Sequence, residues 1–306
     1  MDYGDLNLVT WPVQLTKAWH RDMYPLLEPS RPELSAKGKT VLVTGASGGV
    51  GKAIVKAWAI AGAASIVITG RKVEALNEVA ASVIATSPGT KVLVCPADLT
   101  DEQSVQELWE TVRAKIGAVD VLINDAGSMN YATIGEIEPL QWWNDFEVNV
   151  KGPYLMCHHF VKQAQGKNST VITVGTGAAA TIFPNMSSYT CSKLAQAKLM
   201  EFLHAEHPQI RSFTLLPGLL KTAMTAKAYL PYALDDPMLS GGLSLFLCTS
   251  RADWMQGRVM SVNWDIEEME AHKLQIQRDG LTKLNFVNAK LGKGGHPWDQ
   301  NTNPDT

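Results

Sequence analysis

Basic residues do not outnumber acidic ones in this chain: 27 Lys and Arg stand against 30 Asp and Glu over 306 residues, a net charge of −3. No basic stripe is available to neutralise a phosphate backbone, which argues against nucleic-acid binding. Long apolar runs are lacking too. The longest stretch without a charge, Asn168 to Ser192, carries Gly175, Gly177, Pro184 and many hydroxyls, and makes a poor membrane span. Met1 to Thr10 holds acids and no apolar h-region, so no secretory signal is expected. Cysteine is scarce. The residues at 95, 157, 191 and 248 form no Cys-x-x-Cys pair and sit in apolar or helical contexts. They read as reduced, buried thiols in a cytoplasmic protein. His204-x-x-His207 lacks a third ligand at a useful spacing, so no metal site is expected.

The chain is 45% hydrophobic and 19% charged, a balance that buries a sizeable core and excludes a disordered chain. Residues 1–37 differ from the rest of the chain. Pro12, Pro25, Pro29 and Pro32 are interleaved with Trp11, Trp19 and Tyr24. Prolines this dense break regular elements, so the segment reads as an arm that packs by its aromatics, on its own subunit or a neighbour. From residue 38 short apolar runs alternate with helical patterns. Strands are expected at 40–44, 66–69, 91–95, 119–123, 170–174 and 210–215. Helices are expected at 50–61, 72–85, 101–116, 140–165 and 187–204, the third behind an Asp98-Leu-Thr-Asp101 cap. Continuous apolar strands between helices mean a parallel sheet covered on both faces. The fold class is therefore α/β, a single doubly wound Rossmann-like sheet spanning residues 38–279. The tail, 280–306, is expected to be loosely held.

Thr44-Gly45-Ala46-Ser47-Gly48-Gly49-Val50-Gly51 stands between the first strand and the first helix. A glycine turn there lets the backbone approach a pyrophosphate, and the helix N-terminus offers free N–H groups. Dinucleotide folds that take NAD(H) place an acid about 20 residues on, for the ribose 2′-hydroxyl. Here that place holds Arg71, which suits a 2′-phosphate through charge-assisted hydrogen bonds. NADP(H) is expected over NAD(H).

Tyr189-Thr-Cys-Ser-Lys193 opens the helix expected at 187–204. Spacing i,i+4 puts phenol and ammonium on one helix face. A free phenol, with a pKa near ~10, is a poor acid–base group at neutral pH, and a nearby cation would lower that value. Alone, the pair reads equally well as an ordinary surface contact.

Four motifs now stand in order. Thr44-Gly45-x-x-x-Gly49-x-Gly51, Asn124-Asp125-Ala126-Gly127, Tyr189-x-x-x-Lys193 and Pro217-Gly218 resemble the short-chain dehydrogenase/reductase family over about residues 38–265. Asn263-Trp264-Asp265 and the proline-rich arm resemble a filamentous-fungal subgroup, several members of which modify secondary metabolites. The resemblance implies an oxidoreductase that moves a hydride between nicotinamide and a carbonyl or secondary alcohol. Within it Tyr189 would be the general acid, Lys193 would depress the Tyr189 pKa and hold the nicotinamide ribose, and Asn149 would seat a relay water. Gly45, Ser47, Gly49, Val50 and Gly51 would meet the pyrophosphate. Asp98 and Leu99 would meet the adenine edge, and Asn124, Ala126 and Gly127 the adenosine ribose. Pro217, Gly218 and Thr222 would meet the carboxamide.

Two positions depart from the pattern. Thr176 stands where the family has a serine; it keeps the hydroxyl but stiffens χ1 and narrows the site. Asp125 replaces a second asparagine and loses the amide donor. The substrate is expected to be a small molecule, a cyclic or polyketide-like ketone, walled by Met129, Asn130, Tyr131, Phe183, Asn185, Leu219 and residues 223–238. A non-redox isomerase, dehydratase or cyclase on the same scaffold, or a nucleotide sensor without catalysis, stays open. The helices at 140–165 and 187–204 carry more apolar residues than one sheet face needs. In the resembled family they pair across a two-fold axis, so a homodimer or homotetramer is expected.

Overall fold

The computed structural model describes residues 5–7, 9–164 and 169–284. Seven parallel strands lie in the order β3-β2-β1-β4-β5-β6-β7. They are β1 (Thr40–Thr44), β2 (Ser65–Thr69), β3 (Lys91–Val94), β4 (Val121–Asn124), β5 (Ser169–Val174), β6 (Ile210–Leu216) and β7 (Arg258–Ser261). Every residue of Thr40-Val-Leu-Val-Thr44 is buried, because helices cover both faces of the sheet. Successive β1 side chains alternate between the two cores. Val41 and Val43 face α1 (Gly49–Ile60), α2 (Val73–Thr86) and α7 (Met238–Phe246). Leu42 faces α3 (Glu102–Lys115), α5 (Gly152–Gln163) and α6 (Ser187–Glu206). The strand order reverses between β1 and β4. Ligands bind at such a reversal, outside the carboxyl ends of the strands.

The expected strands and helices through residue 216 are all present, most with ends moved by one or two residues. The Asp101 cap holds: its side chain accepts from the Gln103 N–H at 3.1 Å. The expected helix over 140–165 is three pieces. α4 (Pro139–Phe146) passes into a π turn, Glu147–Lys151, and then into α5. The wider turn carries Asn149, and such bulges recur at functional sites. Residue 165 lies outside the described residues. The sequence reading did not find β7, α7 or the short helices α8 (Ile266–Ala271) and α9 (Lys273–Arg278).

The arm folds onto its own chain. Its prolines start structure rather than break it: three 3-10 turns, Trp11–Val13, Pro25–Leu27 and Pro32–Leu34, each carry a proline in the first turn, where the missing N–H costs nothing. Leu27 is fully buried, worth ~1.5–3 kcal/mol. It sits against Gly242 of α7, where a Cβ would come within 2.1 Å of the Leu27 carbonyl oxygen. The neighbouring Gly241 lets α7 touch Ala57 of α1 in the same way. His20 N–H donates to the Asn263 carbonyl, and Asn263 Nδ2 donates back to His20.

Two expectations about loose or buried parts change. Residues 280–284 are held, since Val259 N–H donates to Thr282 O and Leu284 N–H to Glu201. The rest of the tail lies outside the described residues. Cys95 and Cys157 are buried as expected, but Cys191 is exposed on α6 and Cys248 is half-buried.

Candidate active site

Beyond the ends of β4, β5 and β6 lies one cavity of ≈ 230 Å³. Thr176, Tyr189 and Lys193 border it together, although they come from the loop after β5 and from the start of α6. Val50, Gly127, Pro217, Gly218 and Thr222 border it as well. Of the expected substrate wall, Met129, Tyr131, Phe183 and Leu219 are there, with Met224, Thr225, Ala226 and Tyr229 from the 223–238 segment. Asn130 and Asn185 are not. Asn130 turns to Asp145 and the Gln141 carbonyl. Asn185 uses a left-handed backbone, φ 70°, to offer its carbonyl to Ala132 N–H. Both residues order the loops behind the wall.

The glycine turn is shaped by contact. Gly45 has φ +64° and lies against the Ala126 backbone, where a Cβ would come within 2.8 Å. A Cβ on Gly51 would meet Gly45 O at 2.5 Å and the Asp125 carboxyl at 2.6 Å. Gly49 lies against the Thr222 methyl group. Gly48 caps α1 without a side chain, and with the Gly51 N–H directed to Asp125 the Gly49 and Val50 N–H groups are left for an anion. The turn also spells the Gly-x-Ser-x-Gly of a hydrolase elbow at residues 45–49. Neither Ser47 nor any described histidine borders the cavity, so no elbow nucleophile with its base faces it.

Arg71 is exposed just past β2, and Asp98 is exposed after β3. The Thr100 N–H and hydroxyl hold the Asp98 carboxyl below its ordinary range, with the Arg71 charge adding to the effect. Leu99 is buried and packs against Gly152. The Asn124 side chain is buried, with Nδ2 directed at Cys157 Sγ at 3.7 Å. The Thr44 hydroxyl accepts from the N–H groups of both Asp125 and Ala126, each at 3.0 Å, which fixes that backbone.

Tyr189 is buried, and burial raises its phenol above the ordinary value. The Thr176 hydroxyl, within hydrogen-bond reach, offsets part of that rise. Lys193 does not lower it as the resemblance implied. Its ammonium donates instead to Val174 O at 2.7 Å and Gln196 Oε1 at 2.9 Å, leaving one of its three protons for another acceptor. Burial brings Lys193 down to about 8, opposed by the charges of Asp125 and Asp145. Asn149 is likewise committed. Nδ2 donates to Ser128 O and Ser192 Oγ, and Oδ1 accepts from Ser128 N–H, all at 2.9 Å.

Sequence reasoning missed Asp145. It is fully buried in α4 and accepts from Ser128 Oγ at 2.7 Å, Ser188 Oγ at 2.6 Å and Asn130 N–H at 3.0 Å. One carboxylate thus joins the loop carrying Met129 and Tyr131 to the turn before Tyr189. An acid inside a helix of mixed pattern reads as solvent-facing, and nothing local marked it otherwise. The arm was missed too: Val9, Thr10, Pro12, Val13 and Trp19 all border the cavity.

The family model for short chain dehydrogenase matches residues 39–232. The short chain dehydrogenase pigC of Monascus ruber is 31% identical over 93% of this chain and 98% of its own. The short chain dehydrogenase andI of Emericella variicolor is 30% identical over 84% and 91%. The crystal structure of a hydroxysteroid dehydrogenase from Escherichia coli is 26% identical, with a TM-score of 0.66 over 75% of this chain and 97% of that one. Such relatives are oxidoreductases that use a nicotinamide dinucleotide on small molecules, and this chain belongs to the short-chain dehydrogenase/reductase family.

Proposed function

We propose that the chain is an NADP(H)-dependent reductase of a ring ketone of secondary-metabolite type, acting in the cytoplasm as a homodimer or homotetramer. The observation that carries the reading is the placement of the Tyr189 phenol beside the Thr176 hydroxyl at the base of an apolar cavity next to the strand-order reversal.

The chain's residues suit such a cofactor. The uncapped start of α1 fits a pyrophosphate. Arg71, exposed past β2 with no acid ending that strand, fits a 2′-phosphate. The free Lys193 proton fits a ribose hydroxyl. When bound, the reduced nicotinamide supplies the hydride. The protein supplies the proton. Burial keeps Tyr189 protonated at neutral pH, so the phenol is an acid ready to donate to a carbonyl oxygen as negative charge grows there. Thr176 stands beside it to give a second hydrogen bond to the same oxygen. Lys193, at about 8, is mainly charged at pH 7 and keeps its third proton for the ribose.

Assembly is supported by apolar side chains left on α4, α5 and α6. Leu140 is 87% exposed and Trp143 58%, with Tyr154 and Phe202 also more than half exposed. No described helix is long and apolar enough to cross a membrane.

The test is Tyr189→Phe, which keeps the ring and removes the proton. Positioned acid catalysis contributes roughly 10²–10⁴-fold, so ketone-dependent NADPH consumption should fall by at least that much while NADPH binding persists. Near-normal turnover by the variant would overturn the mechanism. Substrate conversion without any change in nicotinamide absorbance would favour an isomerase or dehydratase.

A further inference from the structure

The arm does more than close the hydrophobic core. Trp11–Val13 forms a 3-10 turn that lies on a second one, Gly177–Ala180, directly after Thr176. Val13 approaches Gly177 so closely that a Cβ there would sit 3.2 Å from a Val13 methyl. The Trp264 indole N–H donates to Val13 O at 2.8 Å, and Asp265 N–H donates to Thr16 Oγ at 3.0 Å. The arm is therefore fixed beside the catalytic hydroxyl from outside the Rossmann core.

A second tie runs to the opposite wall. Arg21 Nη1 pairs with Asp235 Oδ1 at 2.7 Å, and the Asp235 side chain is fully buried. The other oxygen of Asp235 accepts from Leu219 N–H at 2.6 Å, within the Pro217-Gly218-Leu219 segment. Arg21 Nη2 donates to Asn7 Oδ1 at 2.7 Å and to Thr10 Oγ1 at 3.3 Å. One guanidinium thus links the arm to the loop after β6. A buried pair of this kind adds little net stability but holds geometry, since removing either partner strands a charge.

We infer that the arm segment around Val13 is the specificity-determining wall of the cavity, and that it selects a substrate with a fused-ring apolar body attached to the ketone. This rests on the reductase reading given above. On the arm side the cavity meets Val9, Pro12, Val13 and Trp19. The same cavity is bordered by the edge-on pair of Phe183 and Tyr229, with centroids 6.0 Å apart. Walls that are apolar or aromatic favour ring surface over hydroxylated chains. At ≈ 230 Å³ the whole space, its nicotinamide side included, exceeds the roughly 150 Å³ cavity that takes one benzene. On the arm side the lining is Val9, Pro12, Val13 and Trp19, whereas the glycine turn reaches the cavity only through Val50, so a change at Val13 is expected to act first on the substrate.

The experiment compares the full-length protein with Val13→Trp and Val13→Ala. Dissociation constants for NADP⁺, and then for cyclohexanone and 2-tetralone on the NADP⁺-saturated protein, are read by calorimetry. Thermal unfolding of each variant checks that it folds. The unmutated protein should bind 2-tetralone at least tenfold more tightly than cyclohexanone. Val13→Trp should erase that preference, Val13→Ala should change it measurably by enlarging the space beside the ring, and NADP⁺ affinity should stay within twofold throughout. Should Val13→Trp fail to fold, loss of NADP⁺ binding in it is set aside and Val13→Ala decides through the ketone ratio. No preference in the unmutated protein, no ketone binding, or the same ratio in every folded variant overturns the inference. Failure of the unmutated protein to bind NADP⁺ would instead sink the reductase reading itself.

Discussion

Replacing Asp125 by Asn should make the protein's stability less sensitive to pH between 5 and 7. Asp125 opens onto the cavity on one side and is packed against the glycine turn on the others. Desolvation drives its carboxyl from 3.8 up to about 7, against the opposing pull of Lys193 and the Gly51 N–H. That gap corresponds to about 4 kcal/mol at ~1.36 kcal/mol for each tenfold change in proton affinity. The sign comes from proton counting. Between 3.8 and 7 the unfolded chain has lost this proton and the folded chain still holds it. The folded state binds more protons, so stability falls as pH rises. Below 3.8 both states are protonated and above 7 both are ionised, so the loss is confined to that window.

Asparagine has the same shape and can still accept from Gly51 N–H, but it does not titrate. From pH 5 to pH 7 the native protein should therefore lose up to about 3 kcal/mol that the variant keeps. Urea unfolding at pH 5, 6 and 7, without cofactor, reads the difference directly. A gap between the two proteins that is constant with pH would refute the reasoning and place the Asp125 carboxyl near its ordinary value. The variant should also show weaker nicotinamide binding above pH 8, because Lys193 loses the charge that keeps its proton on.

Other expectations arise from the same geometry. Arg71→Asp should weaken NADPH binding by tenfold or more and leave NADH binding equal or stronger, as read by fluorescence titration; tighter NADH than NADPH binding by the native protein would reverse the cofactor assignment. Thr176→Ser should keep most activity, and Thr176→Ala should lower kcat by about 10²-fold through loss of a hydrogen bond to the developing alkoxide. Trp143→Glu should shift the native assembly toward monomer in light scattering, and a native protein that is monomeric at micromolar concentration would remove the basis for that surface.

What was legible in the sequence was what repeats locally. β1 to β6 stand out as continuous apolar runs because both faces of each are covered, and the Asp101 cap announces α3. β7 did not stand out. It is four residues at the sheet edge and begins with Arg258, whose guanidinium reaches the Leu281 carbonyl. α7 was hidden for the opposite reason. Gly241 and Gly242 are poor helix formers, yet only glycine lets this helix press against Ala57 and Leu27. Tertiary contact overrides propensity there, and no window of sequence shows the contact. The site divides the same way. Tyr189, Lys193 and Thr176 could be found through motifs that resemble a family's, whereas Asp145 and Val13 take part through contacts with elements 15 to 251 residues away.

Two legible residues carry hydrogen bonds that the motif did not announce, because a motif specifies position and not partners. Lys193 was expected to work on Tyr189, yet two of its protons go to Val174 O and Gln196. Asn149 was expected to seat a relay water, and its side-chain amide also bonds Ser128 and Ser192. Both commitments pull the same parts together: the end of β5, the loop after β4 and the first turn of α6. Asp145 ties that loop to Ser188 from the other side. The three residues therefore hold Tyr189 and Thr176 in register before any ligand arrives. A phenol raised by burial needs such support, because its proton is useful only if the carbonyl oxygen meets it within about 2.6–3.2 Å. Asp145→Asn removes the charge and half of the acceptor capacity while keeping the shape. It should lower kcat far more than it raises the NADPH dissociation constant, since the glycine turn is untouched. Equal losses in kcat and cofactor affinity would mean that Asp145 supports the whole site rather than the alignment of Tyr189.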